Sequence, residues 1–198
     1  MKLSDLRAAN IARQELWPGR DEIGLAFRGL ELAGETGELC NLVKKLCRIR
    51  GGIAGTPASE AEEERLLVAI EEELGDVLIA LDLAALDLGL PAFGDLAEIR
   101  RCNLRFHGAG QSLPELGLAL FHAVARFTEE IEAGRRIWRD IRAAGAVVGA
   151  LDLLARDLGI TLGPVTAAKF NRTSEKLGIP VFLGLPAPLN EKDASHVA

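Results

Sequence analysis

The sequence predicts an all-α protein, a bundle of seven helices. Strand signals are nearly absent: there is no tyrosine, aromatic residues make up 5% of the 198, and no apolar–polar alternation is sustained. Ala, Leu, Glu and Arg, all good helix formers, dominate the composition. Gly, Pro and Ser-x-x-Glu patterns cut the chain into helix-length segments.

Ser4 is expected to cap a first helix that ends near Trp17-Pro18-Gly19. A second runs from about Ile23 to Arg50 and stops at Gly51-Gly52. Ser59 and Glu62 form a capping box for a third, which continues to about Leu88 before Gly89 and Pro91. A short fourth helix covers roughly Asp95 to Phe106, and Gly108-Ala109-Gly110 reads as a joint. Ser112 and Glu115 make a second capping box, opening a helix to Ala133 that is broken at Gly134. A sixth spans roughly Ile137 to Leu158, and the last runs from near Pro164 to Gly178. The tail from Leu185 is rich in Pro and polar residues and is expected to be loose.

Composition excludes several function classes. Lys and Arg total 23 against 29 for Asp and Glu, a net charge of −6 that argues against a general nucleic-acid binder. The longest apolar stretch, Val77 to Leu90, is interrupted by Asp82 and Asp87, so no membrane span is expected. Met1-Lys2-Leu3-Ser4-Asp5 has no apolar core of a secretory signal. Cys40, Cys47 and Cys102 form no CxxC pair, which suits buried thiols in a reduced cytoplasmic setting.

The chain repeats itself. Ala80 to Gly89 (ALDLAALDLG) returns as Ala150 to Gly159 (ALDLLARDLG), identical at eight of ten positions. Phe27…Glu35-x-x-Glu38 finds an echo in Phe121…Glu129-x-x-Glu132. The expected organisation is a tandem duplication, a pseudo-dimer with a degenerate second copy: residues 1–107, residues 108–184 and the tail 185–198.

Glu35 and Glu38, and then Glu73 and Asp76, are each spaced i, i+3, so each pair shares one helix face. Asp76 leads directly into Val77-Leu78-Ile79, and Glu38 sits beside Leu39, Leu42 and Val43. Like charges in apolar surroundings repel unless a cation offsets them, and all-oxygen ligands suit Mg²⁺ or Mn²⁺. Gly37 and Gly75 lie inside these helices at a cost of about 1 kcal/mol each relative to Ala, which close helix approach or room for a ligand would justify.

Leu32-Ala33-Gly34-Glu35-Thr36-Gly37-Glu38-Leu39 and Glu72-Glu73-Leu74-Gly75-Asp76-Val77-Leu78 together resemble the MazG-like all-α nucleoside triphosphate pyrophosphohydrolases. Lys169-Phe170-Asn171-Arg172 resembles that family's closing helix, and Arg13-Gln14-x-x-Trp17 with Asn41-x-x-Lys44-Lys45 resembles a bacterial and phage subgroup that includes enzymes acting on purine deoxynucleotides. The resemblance covers Arg13 to Leu90 and Ile160 to Gly178 and is weak between them. Where the closing helix is expected stands Arg101-Cys102-Asn103-Leu104, and Ala143 and Ala146 stand at the positions of Glu73 and Asp76 in the second copy.

The resemblance implies hydrolysis of a nucleoside triphosphate, dGTP or dATP first, to the monophosphate and pyrophosphate. Glu35, Glu38, Glu73 and Asp76 would hold two or three Mg²⁺ or Mn²⁺ ions. Glu35, with Glu38 beside it, would be catalytic, and Glu72 is the alternative base. Asn41, Lys45, Lys169, Asn171 and Arg172 would contact substrate, Lys169 from the second copy completing a composite site. Lys45 reads equally as an exposed helix lysine, and Glu31 as a supporting acid or a surface charge. Trp17 reads as a base-stacking residue or as a core or hinge residue. Asp82 and Asp152 recur in both copies and read as structural hydrogen-bonding groups. His107, His122 and His196 are isolated, and the Glu-x-x-His motif of a di-iron carboxylate bundle is missing. A catalytically inert helical interaction module is the non-enzymatic alternative. Whether the duplicated chain acts alone or pairs again into a homodimer is open at this level.

Overall fold

A computed structural model describes residues 1–53, 59–106, 110–133 and 137–184. Among the described residues the regular structure is helical: α1 (Leu3–Glu15), α2 (Leu25–Arg50), α3 (Glu60–Asp87), α4 (Leu96–Phe106), α5 (Leu113–Ala133), α6 (Ile137–Asp157) and α7 (Leu162–Leu177), with a 3₁₀ turn at Arg20–Glu22. None of these helices is long and apolar enough to cross a membrane. The tail from residue 185, together with His107 and His196, lies outside the described residues.

Helix ends follow the local chemistry with two shifts. Ser4 does not cap α1. Lys2 holds the N-cap position, and the start is fixed by backbone pairing, because Leu3 N–H donates to the Gly94 carbonyl at 3.0 Å. Ile23 is extended, so α2 begins at Leu25 behind Gly24. Pro164 falls in the first turn of α7, where its missing N–H is harmless. The Ser59 oxygen accepts from Glu62 N–H at 3.2 Å, and Glu115 reaches back to Ser112 N–H at 2.7 Å. Gly89 and Gly159 end α3 and α6 alike, with φ of 71° and 73°, a left-handed turn that favours glycine.

Helix α3 is the axis of the core. From Val77 to Ala85 every residue is buried, so this segment has neighbours all round. On it pack α2, α7, α1 and α6, while α2 also packs on α5 and α5 on α6. The thiols are less enclosed than expected: Cys40 and Cys47 are half-buried and Cys102 is exposed.

Two sets of contacts recur. Arg7 Nε and Asn10 Nδ2 donate to Asp82 at 3.0 and 2.9 Å, and Arg7 also reaches the Leu90 carbonyl. Arg100 Nε and Asn103 Nδ2 donate to Asp152 at 2.7 and 2.8 Å, and Arg100 also reaches the Ile160 carbonyl. Both aspartates are buried and doubly bonded, as a structural role requires. Where α2 crosses α5, Gly29 faces Ile131 and Gly117 faces Val43. At the chain start, Leu3 N–H donates to Gly94 O and Leu96 N–H donates to Met1 O.

Candidate functional site

Helix α2 supplies Glu35, and α3 supplies Glu73 and Asp76. One carboxylate oxygen from each lies within 4.8 Å of the others. The i, i+3 spacing on α3 puts its two acids on one face, and the packing of α2 on α3 brings Glu35 to them. Glu38, one turn beyond Glu35, is exposed and stands outside this trio. Its charge nevertheless acts on Glu35, Glu73 and Asp76.

Crowding shows in the protonation behaviour. Burial, then the charges of Asp76, Glu73 and Glu38, push the Glu35 carboxyl up to about 7. Burial followed by Asp76 and Glu38 raises Glu73. Burial also raises Asp76, against the hydrogen bond from Lys169.

Lys169 comes from α7. Its Nζ lies 2.6 Å from Asp76 Oδ2 and 3.8 Å from Glu72 Oε2. Burial opposes its charge, but the bond to Asp76 and the charges of Asp76, Glu72 and Glu73 hold its pKa above the ordinary lysine value. The approach depends on Gly75. A Cβ there would meet Lys169 Cβ at 2.9 Å and the Val165 carbonyl at 3.3 Å. Gly37 faces open space. Close approach thus accounts for Gly75, while nothing packs against Gly37.

Other candidate residues divide. Arg172, one turn past Lys169, pairs with Glu72 at 2.5 Å. Asn171 points elsewhere: its amide donates to the Leu183 carbonyl at 3.0 Å and its oxygen accepts from Leu183 N–H at 2.7 Å. A position two residues from Lys169 lies on a different face of α7, so the same helix cannot aim both at the trio. Asn41 is exposed and accepts from Lys44 at 2.6 Å. The charge of Lys45 is felt at Glu62, about three turns before Glu73 on α3. Asn41 and Lys45 are therefore not brought to the trio. His122 is exposed and is no part of it.

Beside the trio opens a cleft of about 240 Å³. Glu35 and Asp76 stand on its wall with Trp17, Phe27, Arg13 and Arg28. Arg13 is buried, lies 3.8 Å over the Phe170 ring and 5.8 Å from the Trp17 ring, and donates to the Phe170 carbonyl. Burial lowers its pKa to about 10 despite Asp76 and Glu31. Arg28 is 3% exposed and binds Gln14, Glu31 and Asp87 together. Glu31 is thus held at the cleft by Arg28 and is not a free surface charge. Sequence reading missed Arg28. Its one signal was an arginine on the apolar face of α2, one turn before Glu31.

The donor set fits hard divalent cations. It is all oxygen, the charge of Asp76 raises both Glu35 and Glu73, and Glu73 Oε2 is buried with no hydrogen-bond partner among the described residues. Compared with known proteins, the chain matches no family model, no curated protein and no solved structure.

Proposed function

We propose that this chain is a MazG-like pyrophosphohydrolase. In this reading it hydrolyses a nucleoside triphosphate, a purine deoxynucleotide such as dGTP or dATP first, to the monophosphate and pyrophosphate with Mg²⁺ or Mn²⁺. The observation that carries this is the convergence of Glu35, Glu73 and Asp76 with the ammonium of Lys169, Glu35 and Asp76 also lining a cleft that holds Trp17 and Phe27. Glu35, Glu38, Glu73 and Asp76 would hold the ions. When bound, these neutralise the phosphates and acidify water. Water cleaves one phosphoanhydride bond: its oxygen joins one product, its proton passes to a base, and pyrophosphate leaves. Glu35 is the base: it stands on the cleft wall, where Asp76 beside it is held by Lys169. Glu72 is already engaged by Arg172 and Lys169. Lys169 turns from Asp76 to a phosphate oxygen as substrate arrives. Trp17 and Phe27 offer faces to the base.

The chain is, in this reading, an internal duplication with one composite site. Support comes from the recurring networks around Asp82 and Asp152 and from the reciprocal Gly29–Ile131 and Gly117–Val43 crossings. The reciprocal backbone pairing of Leu3 with Gly94 and of Leu96 with Met1 adds to it. These crossings match Gly29 to Gly117, a different register from the echo of Phe27 in Phe121. Glu35 then corresponds to Ala123 and Glu38 to Arg126. Asn103 corresponds to Asn10 and not to Asn171. The second copy gives α7, and with it Lys169, to the acids of the first.

Pyrophosphate release from the eight common nucleotides, with Mg²⁺ or Mn²⁺, tests the proposal. Release from a purine deoxynucleotide that stops in EDTA is expected. Silence across all eight overturns it in favour of an inert helical module, and tightly bound iron in the purified protein favours a di-iron bundle.

A further inference from the structure

A second cleft, of about 840 Å³, lies between α4, α5 and α6. Its lining includes Arg126, Arg139, Arg142, Ala143 and Ala146. We infer that this cleft binds a nucleoside polyphosphate directly through arginine, without a divalent ion.

Comparison of the two clefts rests on the duplication reading above. In the register set by Gly29 and Gly117 on one helix pair, and by Asp82 and Asp152 on the other, Ala123 stands for Glu35 and Arg126 for Glu38. Arg142, Ala143 and Ala146 stand for Glu72, Glu73 and Asp76. Five acids are replaced by three alanines and two arginines, so the second cleft is inverted in charge. Among the described residues the only acid group close enough to hold a metal is the trio of the first cleft. A phosphate in the first cleft needs cations between it and the carboxylates. In the second it meets guanidinium groups directly, and a guanidinium can bond a phosphate through two parallel N–H groups.

The donors are available. Among the described residues Arg126 and Arg142 have no hydrogen bond or ion pair, and both are exposed. Glu129 and Glu130 also line the cleft. Glu130 lies 3.9 Å from Arg139, which offsets that pair and leaves the other two arginines facing a single carboxylate. The volume falls within the range of small-molecule pockets, and alanine and glycine positions on α6 leave room for a flat body beside the phosphates. A nucleic-acid polymer is disfavoured by the net charge of −6.

Calorimetric titration of the full chain with dATP, and separately with pyrophosphate, in excess EDTA tests this. Saturable dATP binding is expected, displaced by pyrophosphate and weakened at least about tenfold by Arg126→Ala with Arg142→Ala. Ala146→Glu, which returns a carboxylate to the cleft at an exposed helix position, should abolish it. It also keeps the test decisive if the double variant fails to fold. No binding in EDTA, binding that pyrophosphate cannot displace, or binding that survives both sets of substitutions overturns the inference. No divalent ion and no turnover enter these measurements, so their failure is separate from failure of hydrolysis at the acidic cluster.

Discussion

Lys169 Nζ on α7 lies 2.6 Å from Asp76 Oδ2 on α3, so a cation from near the end of the chain is seated among acids from its first half. A divalent ion and this ammonium compete for the same carboxylate, and a phosphate would draw the ammonium away. Lys169→Ala should therefore lower kcat/KM for the triphosphate about 10- to 100-fold, the scale of losing one charge-assisted hydrogen bond. Mn²⁺ affinity, measured by calorimetry, should be retained or increased. Equal loss of metal and substrate binding would count against the composite site.

Glu38 is exposed, so Glu38→Gln should leave the thermal midpoint unchanged. If Glu38 joins the trio in holding ions, turnover should fall at least about a hundredfold, as when one preorganised electrostatic group is removed. Retained pyrophosphate release would take Glu38 out of the site.

Glu35 gives a pH signature. Its carboxyl is raised from the ordinary 4.5 to about 7, mainly by burial and then by its acidic neighbours. The folded protein therefore binds more protons than the unfolded chain between these values, and the linkage makes stability fall as pH rises through them. Thermal melts in EDTA should show the midpoint declining from about pH 4.5 to about pH 7, and Glu35→Gln should flatten that part of the curve. Saturating Mn²⁺ at pH 8 should restore the midpoint in the wild type, and do so less in Glu35→Gln. A wild-type curve in EDTA that rises over this range would contradict the crowding of the acids.

Gly75 and Gly37 are both helical glycines among the acids, yet their substitutions should differ in sign. Gly75→Ala drives a Cβ to 2.9 Å from Lys169 Cβ and should destabilise by about 1–3 kcal/mol, as overpacking does. Gly37→Ala meets open space and should stabilise by up to about 1 kcal/mol through helix propensity. Urea denaturation reads both. Similar effects would mean that α7 does not press on α3 at Gly75.

Asp82→Ala and Asp152→Ala should each destabilise by about 3–5 kcal/mol, because each strands an arginine whose partner was a buried carboxylate. Arg100 is 28% exposed against 11% for Arg7, so the loss should be smaller at Asp152. Chemical denaturation of the two variants checks the order.

Sequence alone determined the helices, their ends to within a turn, and the two acidic pairs. These depend on local chemistry: capping groups, glycine turns and the 3.6-residue period act within one segment. Asp82 and Asp152 were legible as structural because the repeat displayed them twice. Tertiary packing decided the rest. It seated Lys169 on Asp76, turned Asn171 to Leu183, left Lys45 near Glu62, and buried Arg28 among Gln14, Glu31 and Asp87. It also set Gly29 against Ile131 and Gly117 against Val43 where α2 crosses α5. A side chain's spacing along the chain fixes which face of its own helix it occupies. Which helix lies against that face depends on how the helices close-pack, a property that no single segment contains.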